Sequence, residues 1–218
     1  MYENAYRILD FLPLRKKSQE EMRYIDYLWG SFQTLGENEK EDIRASGIIS
    51  FHMLFMLCCQ YKVLRITKTK LSDYQKLFTL KEIRKEDKDI LNPGSVFTFS
   101  KLSEKDIFRI CALIDLNPDL IKKACALVNE RNDLAHANGK IEIDYEQKID
   151  LYIEILEAIQ DKFVNTNNSI ANEWISQLDP ADSKPEFIET NLAQEYLCQA
   201  DFESGLLRSV FFEYLEKI

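Results

Sequence analysis

The stretch ASGIISFHMLFMLCC, Ala45–Cys59, decides the fold. It is the most apolar run in the chain and holds neither Pro nor a charged residue. A membrane span needs ~18 or more such residues, and this run is shorter and carries His52 and two serines. It therefore reads as the buried central helix of a bundle, extending in both directions to fill Glu41–Ile66. Six Gly and five Pro in 218 residues favour long helices over a turn-rich β fold.

Working outward, helical periodicity continues on both sides. Residues Tyr2–Leu14 read as a first helix and Gln19–Leu35 as a second, which Gly36 ends. Beyond the central helix, Leu71–Ile90 is charged and reads as a short helix with a loop. The sequence NPGSVFTFS breaks the chain, and Val96, Phe97, Thr98 and Phe99 make too short a run for a strand. Ser103 with Asp106 resembles a capping box and opens a helix to about Leu116. Asn117, Pro118 and Asp119 supply an N-cap, a first-turn proline and an acidic residue at the positive helix end. That helix should stop near Asn138-Gly139. Asp144 with Gln147 caps another, running to about Val164. NTNNS then marks a boundary, followed by ANEWISQL, the linker DPADSKP and two helices, about Glu186–Ala200 and Phe202–Lys217. The expected architecture is all-α: a helical core over residues 1–166 with N-terminal helices, and an acidic helical extension over 167–218 packed on it.

Composition narrows the function classes. The net charge is −9. Residues 168–218 hold ten acidic side chains and three basic ones, so most of the excess lies there. Residues 62–88 hold nine basic against four acidic, and Lys62, Arg65, Lys68 and Lys70 are its candidates for holding RNA phosphates. A solvated, charged connection explains the same pattern. Five cysteines, without a CxxC pair or a histidine at ligand spacing, read as reduced thiols in a cytoplasmic protein with no metal and no cofactor. The opening MYENAYRILDFLPLRKK places its basic cluster after polar residues and does not read as a secretory signal. No Gly-rich phosphate loop or Ser-His-Asp pattern is present, and neither DNA nor a membrane is an expected partner.

The helix from Pro118 carries the chemistry. Leu120, Ala124, Leu127 and Leu134 form its apolar stripe, and Arg131 occupies the position in that series where an aliphatic residue belongs. An arginine on a packing seam is costly unless it is paired or lines a pocket. His136, five residues on, lies about 140° away around a regular helix, aligned with Asn132 and Asn129. Either the helix distorts near its end, or the site combines residues from two copies related by a two-fold axis. Histidine moves protons near neutral pH, arginine stabilises charge on phosphate oxygens, and asparagine positions either group. With no carboxylate cluster for magnesium, such a set would cut RNA, whose 2′-hydroxyl is an internal nucleophile. The structural alternative pairs Arg131 with a buried glutamate and makes His136 a helix C-terminal cap.

The motif RNDLAH, Arg131–His136, resembles the Arg-x4-His signature of the HEPN superfamily, in which a polar residue follows the arginine; here it is Asn132. The helical order from about Glu41 to Val164 is compatible with a HEPN core. The resemblance implies a homodimer with a composite, metal-independent ribonuclease site formed by Arg131, Asn132 and His136, with Asn129 and Asp133 in support. It also implies 2′,3′-cyclic phosphate products and a role as a toxin or antiphage effector. A cognate antitoxin or regulatory protein would then be a partner. One toxin–antitoxin subset carries a modified tyrosine two residues after the histidine, where this chain has Asn138. A non-catalytic HEPN-like module that binds nucleotide, RNA or protein is the alternative. His52, on the apolar central helix, reads as a satisfied core histidine rather than a catalytic one. The acidic tail, with Trp174, Phe187, Tyr196 and Phe202 among its aromatics, could cover the basic stretch and restrain RNA access.

Overall fold

The computed structural model describes residues 2–14, 17–36, 38–78, 85–135, 144–164 and 197–203. Its elements are helical, with no strand among the described residues. Among the described residues the α-helices are α1 (Gln19–Gly36), α2 (Glu41–Thr69), α3 (Leu71–Lys76), α4 (Glu104–Ile110), α5 (Pro118–Ala135), α6 (Tyr145–Asp161) and α7 (Gln199–Glu203). The expected all-α bundle is what the chain forms.

The apolar run lies inside α2, which spans about 43 Å at 1.5 Å per residue. Phe51, Leu54, Phe55, Leu57, Cys58, Cys59, Val63 and Ile66 are all buried, covering every side of the helix. This burial follows from position, since α1, α3, α4, α5 and α6 all pack against α2. With its flanks included, Ile43–Thr69 is long and apolar enough to cross a membrane, and 72% of its apolar 18-residue window is buried inside the fold. Gly47 lets α1 approach. A Cβ there would stand 2.4 Å from the Gly36 nitrogen and 2.6 Å from its Cα, so any larger residue would force the helices apart.

Short-range chemistry sets the helix starts. The Ser103 hydroxyl accepts from the Asp106 amide at 3.2 Å, the Asn117 side chain from Asp119 at 2.9 Å and the Asp144 carboxylate from Gln147 at 3.0 Å. A fourth cap opens α1: Ser18 accepts from the Glu21 amide while Glu21 accepts from the Ser18 amide, the reciprocal box of two satisfied donors.

Two expectations change in kind. The first helix, Glu3–Phe11, is a 3₁₀-helix, and its buried residues Ala5, Ile8 and Phe11 recur every three positions. That spacing suits three residues per turn better than 3.6. Val96–Lys101 is likewise 3₁₀, with Val96 and Phe99 buried three apart. The helix from Glu104 tightens into a 3₁₀ turn over Cys111–Ile114 and ends at Asp115, whose φ of 57° is left-handed.

Of the expected extension, residues 197–203 are described. α7 runs across the expected break between Ala200 and Phe202, because Asp201 turns back to accept from the Cys198 amide at 2.8 Å and starts the helix earlier. The segment docks on the N-terminal 3₁₀-helix. Pro13 and Cys198 form an isolated antiparallel bridge, and the Leu14 amide donates to the Leu197 carbonyl at 2.8 Å. ANEWISQL, DPADSKP and the Asn138-Gly139 stop lie outside the described residues.

Candidate functional site

α5 presents its stripe as expected. Ala124 and Leu127 are buried, while Leu120 and Leu134 are half-buried against the core. Arg131 occupies the same seam with 21% of its side chain exposed. It donates to Oε1 of Glu104, the first residue of α4, whose side chain is also 21% exposed. The glutamate partner named in the structural alternative is thus real. Arg131 keeps a further donor, its Nε, buried without a hydrogen-bond partner among the described residues.

Glu104 is itself held from behind. His52 Nε2 lies 3.2 Å from its Oε2, and His52 Nδ1 lies 2.9 Å from the Tyr152 hydroxyl on α6. His52 and Tyr152 belong to the core, packed with Phe51, Phe55 and Phe108. His52 is a satisfied core histidine, as expected, and it forms the middle of a connected line.

The protonation states follow from the surroundings. Burial works to raise the Glu104 carboxyl, but hydrogen bonds from His52 and Arg131, and the charges of His52 (when protonated) and Arg131, outweigh it and hold the group at about 2. Burial lowers His52, against the opposing pull of Glu104, so the imidazole is neutral. Burial raises the Tyr152 phenol. An ionised carboxylate accepts only, so Nε2 of His52 carries the proton. Nδ1 then accepts from Tyr152. The line reads Tyr152 O–H to His52 Nδ1, His52 Nε2–H to Glu104, and Arg131 N–H to the other oxygen of Glu104, so each of these contacts joins a donor to an acceptor.

The other expected site residues divide. Asn132 and Asp133 are half-buried beside Arg131 in the last turns of α5, and Asn129 is exposed one turn earlier. His136 lies outside the described residues. Asp133 lines a groove of about 940 Å³ between α5, α6 and the N-terminal 3₁₀-helix. Its walls carry Glu130, Asp133, Asp144, Asp150, Glu154 and Glu157 against Arg7, Lys123 and Lys148. Arg7–Glu157, Lys123–Glu154 and Lys148–Glu130 pair, leaving the groove net acidic and unattractive to phosphate.

The basic stretch needs a correction. Lys62 and Arg65 were expected on an RNA-facing edge, yet they are 4% and 3% exposed. Arg65 is covered because its guanidinium stacks on the Phe163 ring, 4.1 Å from the centroid. Lys62 is covered by Cys198 of the C-terminal segment, with Nζ 3.3 Å from Sγ. Lys68 and Lys70 are exposed, and Lys70 donates to the Leu113 carbonyl at 2.6 Å.

Comparison of the chain with known protein families, curated proteins and solved structures finds no match.

Proposed function

We propose that this protein is a metal-independent endoribonuclease of the HEPN type, acting as a homodimer whose two copies of α5 build one site. The observation that carries this reading is the mounting of Arg131. A guanidinium on a packing seam is fixed by an ionised carboxylate, which a buried histidine and tyrosine fix in turn, while part of its surface stays open to solvent. Pre-set orientation of this kind suits a group that must meet charge developing on phosphate oxygens.

In the proposed reaction the RNA 2′-hydroxyl attacks the adjacent phosphorus and the bond to the 5′-oxygen breaks. The products are a 2′,3′-cyclic phosphate and a 5′-hydroxyl end. His136 moves the proton, with the copies from the two protomers serving as base and acid. Arg131 stabilises the equatorial oxygens, and Asn132 positions the phosphate or the imidazole by hydrogen bonding. The acidic groove repels the RNA backbone, so the strand approaches Arg131 from outside it. The setting that goes with this reading is a toxin or antiphage effector in the cytoplasm, governed by a cognate inhibitor.

A second reading rests on the same ion pair: Arg131 and Glu104 tie α5 to α4, and the bundle is a non-catalytic binding module. End-labelled cellular RNA in excess EDTA separates the two, with wild type compared with His136→Ala and the dimer checked by light scattering. Cutting by wild type alone, leaving cyclic phosphate ends, supports the enzyme. RNA binding without cutting by either protein supports the second reading, and equal cutting by wild type and a clean mutant refutes the role given to His136.

A further inference from the structure

A second constellation lies away from Arg131, beneath the C-terminal segment. Lys62 is a buried lysine on the central helix, 4% exposed, and its hydrogen-bond partner among the described residues is a thiol rather than a carboxylate. That is an unusual place for an ammonium, because burial without an anionic partner is costly. The thiol is Cys198, fully buried.

Both ends of this contact are fixed. Lys62 belongs to a helix packed on all sides. Cys198 is set by its bridge to Pro13, by the bond from its amide to Asp201 at 2.8 Å, and by its thiol pointing at Gln160 Oε1 at 3.6 Å. Gln160 in turn donates to Asp201. With the S–H directed at Gln160, a sulfur lone pair is left for Lys62. Nitrogen and sulfur face each other at 3.3 Å with no atom between them.

We propose that Lys62 and Cys198 are a modification site, at which dioxygen joins them through a single oxygen atom as an Nζ–O–Sγ crosslink. The step balances for a neutral amine and a thiol. One N–H and the S–H bond break, N–O and O–S bonds form, and the second oxygen atom leaves as water. Four electrons pass from nitrogen and sulfur, two from each, to dioxygen. Two equivalents of a dithiol reverse the reaction, each giving two electrons and two protons as it closes to a disulfide, and release amine, thiol and a further water. Dioxygen is small and apolar enough to reach a site closed to larger oxidants. The crosslink ties residue 198 to residue 62 and fastens the C-terminal segment onto the core.

A competing product is a disulfide between Cys198 and Cys58, which lies one turn before Lys62 on the same face of α2. The Cys58 thiol instead donates to the Ile8 carbonyl at 3.6 Å, and burial raises both thiols, Cys58 to about 12, which disfavours the thiolate that disulfide exchange needs. The site is independent of the proposed ribonuclease activity, so its test does not require cleavage.

The test uses the full chain, purified under dithiothreitol and then held in air-saturated buffer without it. Intact mass should rise by one oxygen less two hydrogens, and dithiothreitol should restore the starting mass. Digestion should yield the Lys62 and Cys198 peptides joined. The gain should vanish in Cys198→Ser and Lys62→Met and persist in Cys58→Ser. Closing so long a loop should raise Tm by something on the order of 10 °C in the oxidised form. A loss of two hydrogens, a gain of whole oxygen atoms, or no change in wild type overturns the proposal, as does a crosslink mapped elsewhere. Should a variant fail to fold, the peptide map of wild type decides alone.

Discussion

Replacing Glu104 with Gln keeps the side chain's shape and removes the charge that holds Arg131. Folding lowers this carboxyl from 4.5 to about 2. At about 1.4 kcal/mol per tenfold change in proton affinity, that corresponds to about 3 kcal/mol, which screening at a partly exposed site trims to about 2 kcal/mol. The sign follows from the direction. A carboxyl depressed by folding stabilises the native state fully above its unfolded value, and that stability is lost as pH falls toward the folded value. Glu104→Gln should therefore cost about 2 kcal/mol at pH 7 and less than half of that near pH 3. Urea titrations of both proteins at the two pH values measure it. The variant also forces a choice on His52. If the new amide oxygen faces Arg131, its NH2 group faces Nε2, and the proton must move to Nδ1, where the Tyr152 oxygen can accept it. The chain has two histidines, so ¹⁵N-histidine labelling reads this directly. A penalty equal at both pH values, or none at pH 7, would refute the account of Glu104 as the anion holding Arg131.

Tyr152→Phe should cost about 1–2 kcal/mol in urea unfolding, because it leaves Nδ1 of a fully buried His52 without its donor. Gly47→Ala should cost about 1–3 kcal/mol, since the new methyl meets the backbone of Gly36 rather than a movable side chain; thermal unfolding reads the loss. His136→Ala should abolish RNA cutting while shifting stability by no more than about 0.5 kcal/mol, and a large stability loss would make the residue structural.

The helix starts at Ser103, Asn117 and Asp144 were legible because capping is decided within four residues, and α2 was legible because its apolar run has no other home. The Ser18–Glu21 box carried the same kind of signal and was missed, although its spacing is in the sequence. The 3₁₀-helix at Glu3–Phe11 was harder. Three buried positions at a spacing of three look much like a fragment of an α-helical stripe, and only packing separates the two. Arg131 stood out because it interrupted its own helix's stripe. Its support did not, because Glu104, His52 and Tyr152 come from three other helices and are joined only by the fold. The misplacement of Lys62 and Arg65 has the same origin: what covers them is Cys198 and Phe163, and no local pattern in the basic stretch announces a cover arriving from so far along the chain.

The bridge between Pro13 and Cys198 also bears on how the chain is made. Residues 3–14 leave the ribosome well before residues 197–203, yet part of their packing surface is supplied by that later segment. At about 5–20 residues per second, that partner follows roughly ten seconds or more later. Throughout that interval the early segment lacks its latch, and a chain stalled before Leu197 cannot close it. Closure of the latch is thereby tied to synthesis reaching residues 197–203, which gives chains cut short before them a distinct, unlatched state for proteases to recognise.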